Sequence, residues 1–266
     1  MSANNDSISK TLTVAILLCL VCSVIVAGAA VGLKEKQNIN KANDKKAAVL
    51  QAAGLYDKEG ASVDEQFKQI STRIVNIEAG RFATEAELQE IRDANLTVEN
   101  FDQRKSAKTP ELSRALTSDE DEASIRRLEK FAAVYLVEND QGVEKIVLPV
   151  HGYGLWSTLY GFLALEGDME TIIGLGFYSH AETPGLGGEV DNPKWKSLWE
   201  GKKLHDASGD LAIAVIKGTA QQGSMHQIDG LSGATLTSRG VHNLVRFWIG
   251  DKAFGGLLKQ LKGQGA

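Results

Sequence analysis

The sequence predicts an α+β protein: a single N-terminal membrane helix, then a domain of antiparallel strands with packed helices. Three features point there. The first is an uninterrupted apolar run near the N-terminus, Leu12 to Leu33, reading LTVAILLCLVCSVIVAGAAVGL. The second is a series of β-rich segments separated by turn signals from Lys130 onward. The third is an apolar repeat at i, i+3, i+4 and i+7 near the C-terminus, in Val241, Leu244, Val245 and Trp248. Strands gathered in hairpins with a few helices against them define the α+β class.

The apolar run carries no charge between Lys10 and Lys34. As a helix it rises about 33 Å, enough for a hydrocarbon core of about 30 Å. A cleavable signal peptide is the rival reading, with Ala27, Gly28, Ala29 and Ala30 as a small-residue cleavage site. Its apolar region would normally span only about 7–15 residues, and Lys10 is the single basic residue before this one. The run therefore reads as an anchor over residues 12–33, preceded by a short segment, 1–11. Lys34, Lys36, Lys41, Lys45 and Lys46 follow it, and by the positive-inside rule they favour a cytoplasmic C-terminal part. Cys19 and Cys22 both lie inside the run and read as small apolar residues of a membrane helix. No cysteine follows them, which excludes a disulfide-stapled domain.

Residues 34–129 read as a stalk with short helices and loops. The helix continues past the anchor and stops at Gly54, and Ser62 with Glu65 forms a capping box for a helix running toward Arg73. From 130 to 266 the chain reads as one domain. The stretch KFAAVYLVENDQGVEKIVLPV is a hairpin turning at NDQG, and Phe162–Leu165 with Thr171–Phe177 forms another around Gly167-Asp168. Leu211–Ile216 is a short buried strand. The last helix begins near Ser238, with Thr237 or Ser238 as its N-cap.

Composition narrows the function. A net charge of −5 and the lack of a basic run argue against nucleic acid as partner. His151, His180, His205, His226 and His242 form no metal-ligand spacing, and no G-x-S-x-G elbow is present. Two glycine-rich stretches remain. SHAETPGLGGEVDNPKW (179–195) is not a dinucleotide fingerprint, because Asp191-Asn192-Pro193 stops any helix that would follow the glycines. Its Gly185, Gly187 and Gly188 either let backbone N–H groups approach a flat or anionic ligand, or simply form a surface loop. DGLSGATLTS (229–238) sets two turns ahead of a helix start. An anion at Thr235 would meet free N–H groups and the positive end of the helix dipole.

The last heptad resembles the D-G-x-S-G-A-T flavinylation motif of FMN-binding domains. With it come GYGLWS (152–157), ETPGLGGEV (182–190), Trp195 and Trp199 followed by GKKL, and the single span. The ordered set resembles the C-subunit family of bacterial sodium-translocating NADH:quinone reductases. The resemblance implies one FMN held by a phosphoester on Thr235, with Ser232, Gly233 and Ala234 kept small so that a separate flavin transferase can reach the hydroxyl. It further implies an electron carrier passing electrons from NADH toward ubiquinone, coupled to sodium export, beside other membrane subunits. The domain would lie on the periplasmic side of the inner membrane, against the charge count. Leu155, Trp156, Thr183, Leu186 and Lys217 are the candidate surroundings of the flavin ring. The related G-subunit of the ferredoxin/NAD electron-transport complex and a membrane-anchored protein binding an anion non-covalently are the alternatives.

Overall fold

The three strands between Phe131 and Glu166 read as largely apolar runs because both of their faces are covered. In the computed structural model, which describes residues 7–94, 96–98 and 101–264, β5 is Phe131–Asn139, β6 Gly142–Tyr153 and β7 Thr158–Glu166. Side chains alternate across a strand, and the burial follows that alternation. Leu136, Ile146, Leu148, Leu163 and Leu165 enter one core, while Tyr135, Val147, Phe162 and Ala164 enter a second on the opposite face.

The chain divides into two units, Met1–Asp44 and Lys45–Ala266. Helix α1 (Ile8–Ala52) is long and apolar enough to cross a membrane, and its side chains through Leu33 are exposed. Within the second unit its last turns supply Val49, Leu50 and Ala52 to the second core. The helix ends where expected: Gly54 takes a left-handed φ of +68° and its N–H reaches Gln51 O. Ser62 then caps α2 (Val63–Phe67) through the Glu65 amide. This helix stops well short of Arg73, which instead lies in β1 (Ser71–Asn76).

Next come β2 (Arg81–Phe82), α3 (Glu85–Asp93), α4 (Gln103–Lys108) and the pair β3 (Ser113–Ala115) and β4 (Arg127–Glu129). With β8 (Ile172–Ser179), the main sheet is six-stranded and antiparallel, in the order β2-β1-β5-β6-β7-β8. The β-rich composition begins at residue 130, yet β1 pairs with β5 from Ser71↔Leu136 to Asn76↔Phe131. These ladder bonds draw Ser71–Asn76 into the sheet, and the compact unit starts at Lys45 because Val49, Leu50 and Ala52 pack into the second core.

Both expected hairpins form. Asn139 pairs with Gly142 across NDQG, and Asp168 Oδ1 accepts from the amides of Glu170 and Thr171 in the next turn. After β8 a 3₁₀ turn (Gly187–Asp191) leads to α5 (Pro193–Lys196), whose cap is Asn192. Leu211–Ile216 does not join the main sheet. Within that run Leu211 bridges to His205, and β9 (Ala214–Val215) pairs in parallel with β10 (Gln227–Ile228). Ile213 and Val215 are buried, so apolar composition reported burial correctly but not sheet membership. Helix α6 (Thr235–Ile249) packs on β6, and α7 (Gly255–Gln264) follows.

Candidate functional site

Helix α6 begins at Thr235, three residues earlier than its apolar repeat suggests. Neither Thr237 nor Ser238 caps it; the N-cap position is Ala234, and no side chain caps the helix there. Both hydroxyls are buried in the first turn and used elsewhere. Ser238 Oγ accepts from the Leu231 amide at 2.8 Å and donates to Ala234 O at 3.0 Å, closing the turn that precedes the helix. Thr237 Oγ1 donates to Glu182 at 2.8 Å. Thr235 itself is exposed. It therefore presents a hydroxyl at a helix N-terminus whose first N–H groups no side chain satisfies, a setting that favours a bound or covalent phosphate.

The turn ahead of it is held from outside. Trp195 Nε1 donates to Asp229 O at 2.8 Å, and Asp229 Oδ1 accepts from the Ala220 amide at 2.7 Å. Gly230 N donates to Gly218 O at 2.9 Å, which draws the segment containing Lys217 alongside. Lys217 is exposed there. Gly233 has φ +72°, where a side chain would be strained, and a Cβ would stand 3.0 Å from Leu186 Cδ2. Ser232 and Gly233 are exposed, while Ala234 is buried.

Glu182 joins the two glycine-rich stretches, a role that no local signal in the sequence reveals. It is only 5% exposed. Its carboxylate accepts from the amides of Leu155 (3.2 Å), Trp156 (3.1 Å) and Ser157 (3.1 Å), and from the hydroxyls of Ser157 (3.3 Å) and Thr237 (2.8 Å). Burial pushes its pKa up. The Thr237 hydroxyl and the Trp156, Leu155 and Ser157 amides outweigh that and hold it below the ordinary carboxylate range.

This arrangement gathers Leu155, Trp156, Thr183 and Leu186 around the start of α6. The amides of Leu186 and Gly188 both donate to Thr183 O, at 3.1 and 2.9 Å, which winds the loop tightly. Among the described residues of 45–266, seven large apolar side chains are exposed, and five belong to these segments: Tyr153, Leu155, Trp156, Leu186 and Leu236. Such clustering marks a surface built to be covered. A cavity of about 980 Å³ lies elsewhere, lined by residues such as Glu170, His205, Met225 and Lys259, and none of the Thr235 group borders it. The apolar shelf and the uncapped helix start fit a flat, phosphate-bearing molecule held on the surface.

Comparison with known proteins agrees with this chemistry. The FMN-binding domain family matches residues 154–250, which contain both glycine-rich stretches. The C-subunit of the Na(+)-translocating NADH-quinone reductase of Pseudomonas aeruginosa is 51% identical over 98% of this chain and 98% of its own length. That of Vibrio campbellii is 47% identical over 100% of this chain and 99% of its own. The crystal structure of Shewanella oneidensis NqrC superposes with a TM-score of 0.74 at 35% identity, covering 85% of this chain and 99% of that one. At this identity along nearly its whole length, the chain belongs to the C-subunit family of Na(+)-translocating NADH-quinone reductases.

Proposed function

We propose that this chain is the electron-carrying C-subunit of a sodium-pumping NADH:quinone reductase, with one FMN joined to Thr235 through a phosphoester. The observation that carries the reading is the exposed Thr235 hydroxyl at an uncapped helix N-terminus, inside a region matched to the FMN-binding domain family. FMN supplies one- and two-electron chemistry when bound.

The chain's own residues do the rest. Thr235 Oγ attacks the FMN-side phosphorus of FAD; the P–O–P anhydride bond breaks, AMP leaves, and the hydroxyl proton passes to a base of a separate flavin transferase. Exposed Ser232 and Gly233 give that enzyme access, and the free N–H groups of the first turn of α6 offset the phosphate charge. Leu155, Trp156, Thr183 and Leu186 surround the ring, and Lys217 supplies a nearby cation. Helix α1 anchors the chain in the inner membrane beside the other subunits, with the domain on the periplasmic side, where the transferase acts. The lysines after the span oppose that orientation, and the need for flavin loading outweighs their statistical preference.

The test is the intact mass of the denatured protein, co-produced with a flavin transferase, followed by peptide mapping. One covalent FMN on the Thr235 peptide is expected, with none in Thr235→Ala. An unmodified chain, alongside a control substrate that is modified, would overturn the reading.

A further inference from the structure

We propose that Glu182 is the positioning residue of this site: its carboxylate ties the Leu155–Ser157 turn to the first turn of α6 and sets one fixed negative charge next to the apolar shelf that receives the flavin. The inference rests on the FMN reading above and adds to it a residue that touches neither the phosphate nor the attachment hydroxyl.

Three observations carry it. The first is the number of donors. Three consecutive amides and two hydroxyls converge on one carboxylate, which has about four lone-pair sites to offer. The second is their separation along the chain. Trp156 lies 26 residues before Glu182 and Thr237 lies 55 after it, so the carboxylate closes two long loops at once. The third is the space kept open for it. A Cβ on Gly154 would stand 2.7 Å from Glu182 Oε1, and one on Gly187 would stand 2.7 Å from Oε2 and 2.6 Å from Thr237 Oγ1. Glycine at both positions lets the backbone close around the carboxylate.

The consequence is twofold. The shelf formed by Leu155 and Trp156 keeps its register to Thr235 because both are held through the same two oxygens. Reduction adds electrons to the flavin, so a fixed negative charge beside it opposes reduction and lowers its potential.

The experiment uses the full chain, flavin-free and flavin-loaded, with three variants. Glu182→Gln keeps one oxygen for the amides and can turn its NH₂ toward Thr237, which removes the charge with little change of shape. Glu182→Ala and Thr237→Val cut the tie from either side. Amide hydrogen exchange of the flavin-free chain reads the tie; the midpoint potential of the loaded chain reads the charge. The expected result is exchange at Leu155, Trp156 and Ser157 faster by about tenfold or more in Thr237→Val and Glu182→Ala, with the interior of α6 still protected. Glu182→Gln is expected to shift the potential to more positive values. Parental exchange in Thr237→Val overturns the tie even if Glu182→Ala fails to fold, and an unchanged potential in Glu182→Gln overturns the charge. The denatured mass of the parent reports separately on covalent FMN, so failure of the flavin reading leaves the exchange result standing by itself.

Discussion

Two carboxylates of this protein have almost no exposed surface, yet their pKa values are shifted in opposite directions. Glu182, 5% exposed at the edge of the Thr235 surface, is held below the ordinary carboxylate range. Glu129, 1% exposed in β4 beside His151, is pushed up to about 8 by burial. The difference lies in their donors and in depth, Glu129 being fully enclosed and Glu182 lying nearer the surface. Glu182 receives five, whereas Glu129 receives a side-chain bond from Gln103 and its Oε2 has no partner. Its neighbour His151, at 3.9 Å, cannot help. Burial and then the nearby Arg104 charge push His151 down to about 3, so it is neutral. Removal from water is common to both sites; only convergent N–H and O–H groups make a charge stable there.

The contrast is broken most severely at Glu182. Glu182→Ala leaves three amides without an acceptor and should destabilise the domain by about 3–5 kcal/mol in chemical denaturation. Glu129→Ala should cost less, because fewer donors are stranded: the Gln103 amide and the residue's own N–H. A gentler break is Gly187→Ala, which drives a methyl group into Glu182 and Thr237; a loss of about 1–3 kcal/mol is expected.

A pH series sharpens the comparison. The folded pKa of Glu129 is raised above its unfolded value, so its contribution to stability is full below about 4.5 and lost as pH rises through about 8. Glu182 and His151 have the opposite sign. The contribution of His151 is full above about 6.5 and is lost as pH falls toward about 3. Glu129→Gln should therefore melt about 10 °C above the parent at pH 8 and close to it at pH 4. A parallel pair of melting curves across that range would show that Glu129 is ionised after all. The smallest effect belongs to the exposed shelf. Trp156→Ala removes a side chain that is 67% exposed and should change the stability of the flavin-free chain by less than about 0.5 kcal/mol.

The features legible in the sequence are those encoded within a few residues. The apolar span, the hairpins at NDQG and Gly167-Asp168, the stop at Gly54 and the small residues ahead of Thr235 each follow from local periodicity or turn chemistry. The apolar repeat misplaces the start of α6 for a related reason. Such a repeat marks which turns of a helix are buried, whereas Thr235 and Leu236 are helical and exposed.

Tertiary structure alone decided the rest. The pairing of β1 with β5, across a segment that reads as helices and loops, depends on contacts 55 to 65 residues apart, and no local pattern specifies them. The run Leu211–Ile216 carries enough apolar character to be buried, but it finds only a two-residue parallel partner and an isolated bridge from Leu211 to His205. Glu182 is the clearest case. Its sequence neighbours show an acidic residue in a glycine-rich loop, while its charge state and its role come from Leu155, Trp156, Ser157 and Thr237, which only folding brings to it. Local sequence sets what each segment prefers; the closure of long loops sets which buried polar groups find their partners, and that depends on the whole fold at once.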